Sequence, residues 1–154
     1  LNLSAAVETL RKHSDPTFGG FVGYNSTELL ARECWKEFIV SLFTTVTPIS
    51  TSISAASELF YSSSEGMSNP ITGPAIFISA FNSAIALIGQ GMLPSYNSTP
   101  PVYSLITDFG NPTLNAPGVT PLTAANTIGS QLFTRATTGI AVLSVPPFTS
   151  VQWS

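Results

Sequence analysis

Ionised side chains are scarce in this sequence of 154 residues: Asp, Glu, Lys and Arg together make up 8%, where a soluble domain ordinarily carries about 25%. The few that exist are crowded to one side, since eleven of the thirteen lie at or before Glu65 and only Asp108 and Arg135 follow. Interspersed charge is what keeps an isolated domain dispersed. A long neutral half therefore reads first as surface covered by partner chains, as in an assembly subunit, with a surface merely rich in Ser, Thr and Asn as the alternative.

Other absences narrow the chemistry. A net charge of -3 with five basic residues excludes a general grip on nucleic acid, which needs clustered Lys and Arg to displace counterions. Only Arg11 and Lys12 are adjacent bases, and they read as a solvated helix end. Cys34 is the single cysteine, so neither an internal disulfide nor a thiolate zinc cluster can form. Set in a helical pattern beside Trp35, it reads as a small buried apolar side chain. His13 is the single histidine, which excludes a multi-histidine metal site and leaves it a capping role near a helix end. Glu28, Glu33 and Glu37 track a solvent-facing helix, Glu58 and Glu65 sit in polar surroundings, and Asp108 is isolated, with a turn before Gly110 or a salt bridge to Arg135 as its roles. The glycine-bearing stretches "FGGFVG" and "GQGMLP" lack the Lys-Ser/Thr of a phosphate loop. The expectation is a protein that is not an enzyme and has no cofactor or metal.

Apolar residues, at 44%, suffice for a core, and a folded domain of this size removes roughly 70% of its unfolded surface from water. One structural domain over 1–154 is expected. Ser4 is placed to cap a first helix with Val7 and Leu10 on one face. A second helix opens after Asn25 or Ser26 and carries Ala31, Trp35, Phe38, Leu42 and Val46 at three- and four-residue steps, with Glu28–Arg32 and Glu33–Lys36 pairs on its wet side, and Pro48 stops it. A short helix is read over Ala55 to Phe60. Gly73-Pro74 then puts proline in a first helical turn, where its missing N–H is no loss, and Phe77, Phe81, Ala84 and Ile88 form a face. The stretch "GPAIFISAFNSAIALIGQGML", Gly73 to Leu93, is uncharged and long enough to cross a membrane. Ser79, Asn82, Ser83 and Gln90 would lack partners in lipid, so a buried helix is expected in place of a span.

The uncharged strip "STPPVYS" at Ser98 to Ser104 has an echo in "SVPPFTS" at Ser144 to Ser150. The first leads an extended segment from Pro100 through "PPVYSLITDFG"; the second lies in the run "IAVLSVPPFTSVQWS", after a helix capped by Thr120-Pro121 with Ile128, Leu132 and Ala136 on one side. Proline donates no backbone hydrogen bond, so both strips belong at sheet edges or in polyproline conformation. Residues 74–109 and 121–154 thus share a plan of proline-started helix followed by proline-paired strip, which reads first as an architectural rhyme, with an internal duplication as the alternative. The fold class is mainly α with short extended or β segments, an α+β domain. Extended strips bearing proline and aromatics can add to a neighbour's sheet edge or lie in its groove. The candidate interface is therefore Pro100, Pro101, Val102 and Tyr103 in one strip, and Pro146, Pro147, Phe148, Val151 and Trp153 in the other. Val102 to Ile106 fits packing within the chain as well.

The segments "ITGPAIFISAFNSAIALIGQGMLPSYNSTPPV" and "NTIGSQLFTRATTGIAVLSVPPFTSVQWS" resemble the small structural proteins of tailed bacteriophage particles. The resemblance implies scaffolding within a virion as part of a capsid, neck or tail, with copies of the chain and other structural proteins as partners. It implies no small-molecule substrate, no specific nucleic acid and no membrane. A secreted or cell-surface binding module is the alternative. That alternative draws on Asn2-Leu3-Ser4, Asn25-Ser26-Thr27 and Asn97-Ser98-Thr99, which match the glycosylation pattern.

Overall fold

A computed structural model describes residues 1–12, 28–47, 53–69, 71–91, 95–104 and 120–154. Among them are five helices, α1 (Leu3–Lys12), α2 (Glu28–Phe43), α3 (Ser54–Ser63), α4 (Gly73–Gln90) and α5 (Pro121–Ala136), and three short strands, β1 (Tyr96–Thr99), β2 (Ile140–Leu143) and β3 (Ser150–Gln152). The chain is mainly α with a small antiparallel sheet, the class expected from its sequence.

The helices follow their apolar periodicity. In α2, Ala31, Trp35, Phe38 and Leu42 are buried, widened into a broad face by Cys34, Ile39 and Phe43. Val46 is buried too, but beyond the helix, which ends at Phe43; Asn25, Ser26 and Pro48 lie outside the described residues. The wet side differs from expectation. The α2 ions reach across to neighbouring elements: Arg32 donates to Ser64 Oγ at 3.2 Å and to the Tyr61 carbonyl, and Lys36 meets Glu58 at 2.7 Å. Glu28 accepts the Ser68 N–H at 3.3 Å. Helix α1 is capped by Asn2, whose Oδ1 accepts the Ala5 N–H at 3.0 Å. Ser4, the expected cap, stands exposed inside the first turn, because the helix already starts at Leu3.

Helix α4 supplies the centre. Pro74 sits in its first turn, and a Cβ on Gly73 would strike the Met67 carbonyl, so glycine alone permits that close approach. Phe77, Phe81, Ala84 and Ile88 are buried as expected. Phe77 and Phe81 meet Trp35, Phe38 and Phe60, with Trp35–Phe77 centroids 5.2 Å apart and Phe60–Phe77 rings edge to face at 6.1 Å. Aromatic pairs at such separations add stabilisation beyond the area they bury. The helix is long and apolar enough to cross a membrane by length and composition, yet its aromatic face is filled by this cluster. Asn82 is satisfied by protein: its Oδ1 accepts the Tyr103 N–H at 2.8 Å and its Nδ2 donates to the Tyr103 carbonyl at 3.0 Å.

The sheet has the order β1-β2-β3, with Tyr96 opposite Leu143 and Ile140 opposite Gln152. Of the extended segment expected from Pro100, residues 105–110 lie outside the described residues. The described strand is "YNST", which ends ahead of Pro100-Pro101, because a residue without an N–H cannot continue the ladder. Residues 101–104 leave the sheet, pinned instead by Asn82, while Tyr103 sends its hydroxyl to the Leu132 carbonyl at 2.9 Å and its ring edge to Phe81 at 4.9 Å. The second run is reorganised: β2 and β3 form a hairpin whose connection contains Pro146-Pro147, joined by a cis peptide. Both units place a helix before a strand, and β1 pairs with β2, but one proline pair ends a strand and the other makes a turn.

Asn82→Ala removes two hydrogen bonds to the backbone of Tyr103, each of a kind that contributes about 0.5 to 1.5 kcal/mol. Urea denaturation is expected to register a loss of that order with the helical signal of the folded state unchanged.

Candidate interaction surface

The nine residues of the candidate interface are divided by the fold. Tyr103 and Trp153 are 3% and 1% exposed and Pro101 is buried, so these three are occupied inside the chain's own core. Trp153 is clamped on every side. Its ring stands perpendicular to Phe43 at 6.2 Å, its backbone N–H donates to the Gly139 carbonyl at 2.9 Å, and a Cβ on Gly139 would lie 2.7 Å from the indole. The following Ser154 carbonyl accepts the Thr47 N–H at 3.0 Å. The displayed tail read from the sequence is thus corrected: the last residues close the core, because Gly139 leaves an indole-sized recess beside Phe43.

Pro100 and Val151 are half-buried, Pro100 against Gly89 of α4. What stays in solvent is Val102, Pro146, Pro147 and Phe148. The last three belong to a four-residue turn, Val145–Phe148, closed by the Phe148 N–H donating to the Val145 carbonyl at 2.9 Å. Val145, passed over in the sequence reading, is 54% exposed and Phe148 58%, so the turn carries an apolar residue at each end of the proline pair. The cue was available in the order Val-Pro-Pro-Phe, bounded by small hydroxylated residues.

Phe148 is unusual in a second way. Its φ is +54°, in the left-handed region, where an L-residue's Cβ crowds the following carbonyl oxygen at a cost of about 1 to 2 kcal/mol. Glycine would occupy that position freely. An aromatic side chain here gains little from burial and is not what the backbone prefers, so neither folding term accounts for it.

Charge is arranged away from this turn. Lys12–Glu37 at 3.6 Å and Lys36–Glu58 at 2.7 Å join α1, α2 and α3, and beyond Glu65 the described residues hold one ion, Arg135 on α5. His13 and Asp108 lie outside the described residues, and Glu58 is engaged with Lys36. Among the described residues no group of three metal-ligating side chains gathers. Burial, with Glu37 nearby, pushes the Cys34 thiol up to about 12, which keeps it protonated and inert as a nucleophile. No protein family, no curated protein and no solved structure matches the chain.

Two exchanges separate the displayed aromatic from the buried one. Trp153→Ala should cost about 3 to 5 kcal/mol, the range for emptying a core aromatic site, whereas Phe148→Gly should stabilise by about 1 kcal/mol through relief of its backbone; thermal unfolding of both variants measures this. The folded state retains the Cys34 proton between 9 and about 12 while the unfolded thiol releases it. Stability therefore falls as pH rises through that window, and thiol-specific labelling at neutral pH should proceed only as fast as the chain unfolds.

Proposed function

We propose that the chain is a structural subunit of a large protein assembly, a component of a tailed-bacteriophage virion in its capsid, neck or tail. Its helical body supports contacts made by apolar surface and strand edge. The observation that carries the reading is Phe148: a 58% exposed aromatic held at positive φ on a turn that also displays Val145. Such a residue is accounted for by a neighbour that buries it, since burial of one aromatic side chain from water contributes about 1.5 to 3 kcal/mol, more than the backbone cost. Repetition over many copies multiplies that small contribution, which is how a weak single contact holds a symmetric particle together.

Two further features support the reading. The neutral second half has Arg135 as its single described ion, and a neutral surface can be placed against another without stranding a charge. The segments that resemble phage structural proteins supply α4, β1, most of α5 and the hairpin, the same part of the chain that holds the displayed turn. Partners are copies of the chain and other structural proteins of the same particle.

Phe148→Asp puts a charge on the displayed turn without entering the core. Particles purified on a density gradient are expected to contain the unaltered chain in fixed copy number by quantitative mass spectrometry and to exclude the variant, while the free variant keeps its helical circular dichroism. Incorporation of the variant at the unaltered level would remove the basis of the reading.

A further inference from the structure

Among the described residues β1 is the outer strand of the sheet, and its register fixes which backbone groups face away from β2. Ser144 N–H donates to the Ser95 carbonyl at 2.7 Å, and the partners below that pair are Asn97 with Val142 and Thr99 with Ile140. Antiparallel strands alternate bonded and non-bonded pairs, so Asn97 and Thr99 spend their N–H and C=O on β2. Those of Tyr96 and Ser98 are directed away from it.

Among the described residues that edge is unpaired. Of the devices that protect an edge it has shortness, at four residues, and Pro100 at its end, but no Lys, no inward charge and no bulge. A groove of about 370 Å³ runs along it, bounded by Ala86, Gly89 and Gln90 at the end of α4, and no ionised side chain lines it. Ser98 Oγ is buried beside this groove with no hydrogen-bond partner. Asn97 and Thr99, on the opposite face of the strand, are exposed.

We propose that β1 pairs antiparallel with β1 of a second copy across a twofold axis at Asn97, joining two three-stranded sheets into one of six strands. On this axis Tyr96 of one copy faces Ser98 of the other as a bonded pair, so the four outward N–H and C=O groups of each edge meet their complements, and Asn97 faces Asn97. Charge does not oppose a second copy as the occupant. The chain is acidic overall, with a net charge of -3, but its described acidic side chains lie on α1, α2 and α3 and at Glu65, none of them on β1, so two copies meet at this strand without opposing like charges on it. A twofold contact requires a surface complementary to itself, and an uncharged strand edge is that by construction. The proposal rests on the assembly reading only in naming one self-contact within it.

Position 97 is exposed, so its substitution tests the contact without disturbing the core. Sedimentation velocity from micromolar to millimolar concentration should find a dimer for the unaltered chain. Asn97→Lys and Asn97→Glu each set like charges directly opposite and should weaken the dimer about fivefold, and an equimolar mixture of the two should restore it. Asn97→Cys should oxidise to a covalent dimer, because non-bonded antiparallel pairs bring Cα atoms to roughly 4.5 Å, within disulfide range, while Cys34 is buried and silent. A monomer at every concentration, or charge variants whose mixture recovers nothing, would overturn the proposal. Association that ignores position 97 would overturn it too, yet leave the assembly reading intact, since that reading is scored on particle incorporation through Phe148.

Discussion

The bond pair between the Asn82 carboxamide and the backbone of Tyr103 is the joint on which this architecture turns. At 2.8 and 3.0 Å, one side chain on the central helix does for residue 103 what a neighbouring strand would have done. It lets the chain leave the sheet after Pro100 without abandoning buried polar groups. It also seats the Tyr103 ring on Phe81 and its hydroxyl on the Leu132 carbonyl of α5, so one residue links α4, α5 and the chain that leaves β1. Around that joint the aromatic cluster of Trp35, Phe38, Phe60, Phe77 and Phe81 joins α2, α3 and α4 into one body.

A self-sufficient core changes what the shortage of charge means. Because the helices bury their own faces and Trp153 closes the far end against Phe43 and Gly139, the apolar residues left in solvent are not remnants of an incomplete fold. Among the described residues they are spread over Leu29, Leu30 and Val40 on α2, Leu122 on α5, and Ile71, Val102 and Ile140, with Val145 and Phe148 together on the tight turn, where Phe148 stands at positive φ. The turn thus displays its pair without drawing on the core that the helices build.

How much of this was legible in the sequence depended on the range of the interaction. The faces of α2, α4 and α5 were readable because their determinants recur every three or four residues along one segment, and Pro74 and Thr120 mark the helix starts locally. Strand β1 was not legible because "YNST" has weak strand propensity and its partner, β2, lies far along the chain. The same limit applied to Trp153, whose burial depends on Gly139 and Phe43 and on nothing near it in sequence. Of the nine residues proposed from the proline strips, the fold kept Val102, Pro146, Pro147 and Phe148 in solvent and took Pro101, Tyr103 and Trp153 inward. The cap at Asn2 and the cross-helix bonds of Arg32 and Lys36 were decided by tertiary neighbours that a single helix cannot specify.

The most direct test of a self-sufficient body with a separate displayed surface is amide hydrogen exchange, read residue by residue in the dispersed chain and in the assembled state. The account predicts that amides of Tyr96, Ser98 and Phe148 become slower to exchange on assembly while those in the middle of α2 and α4 are already protected and do not change. Protection of α2 and α4 that appears only on assembly would contradict it, because the core would then be a product of association and not its platform.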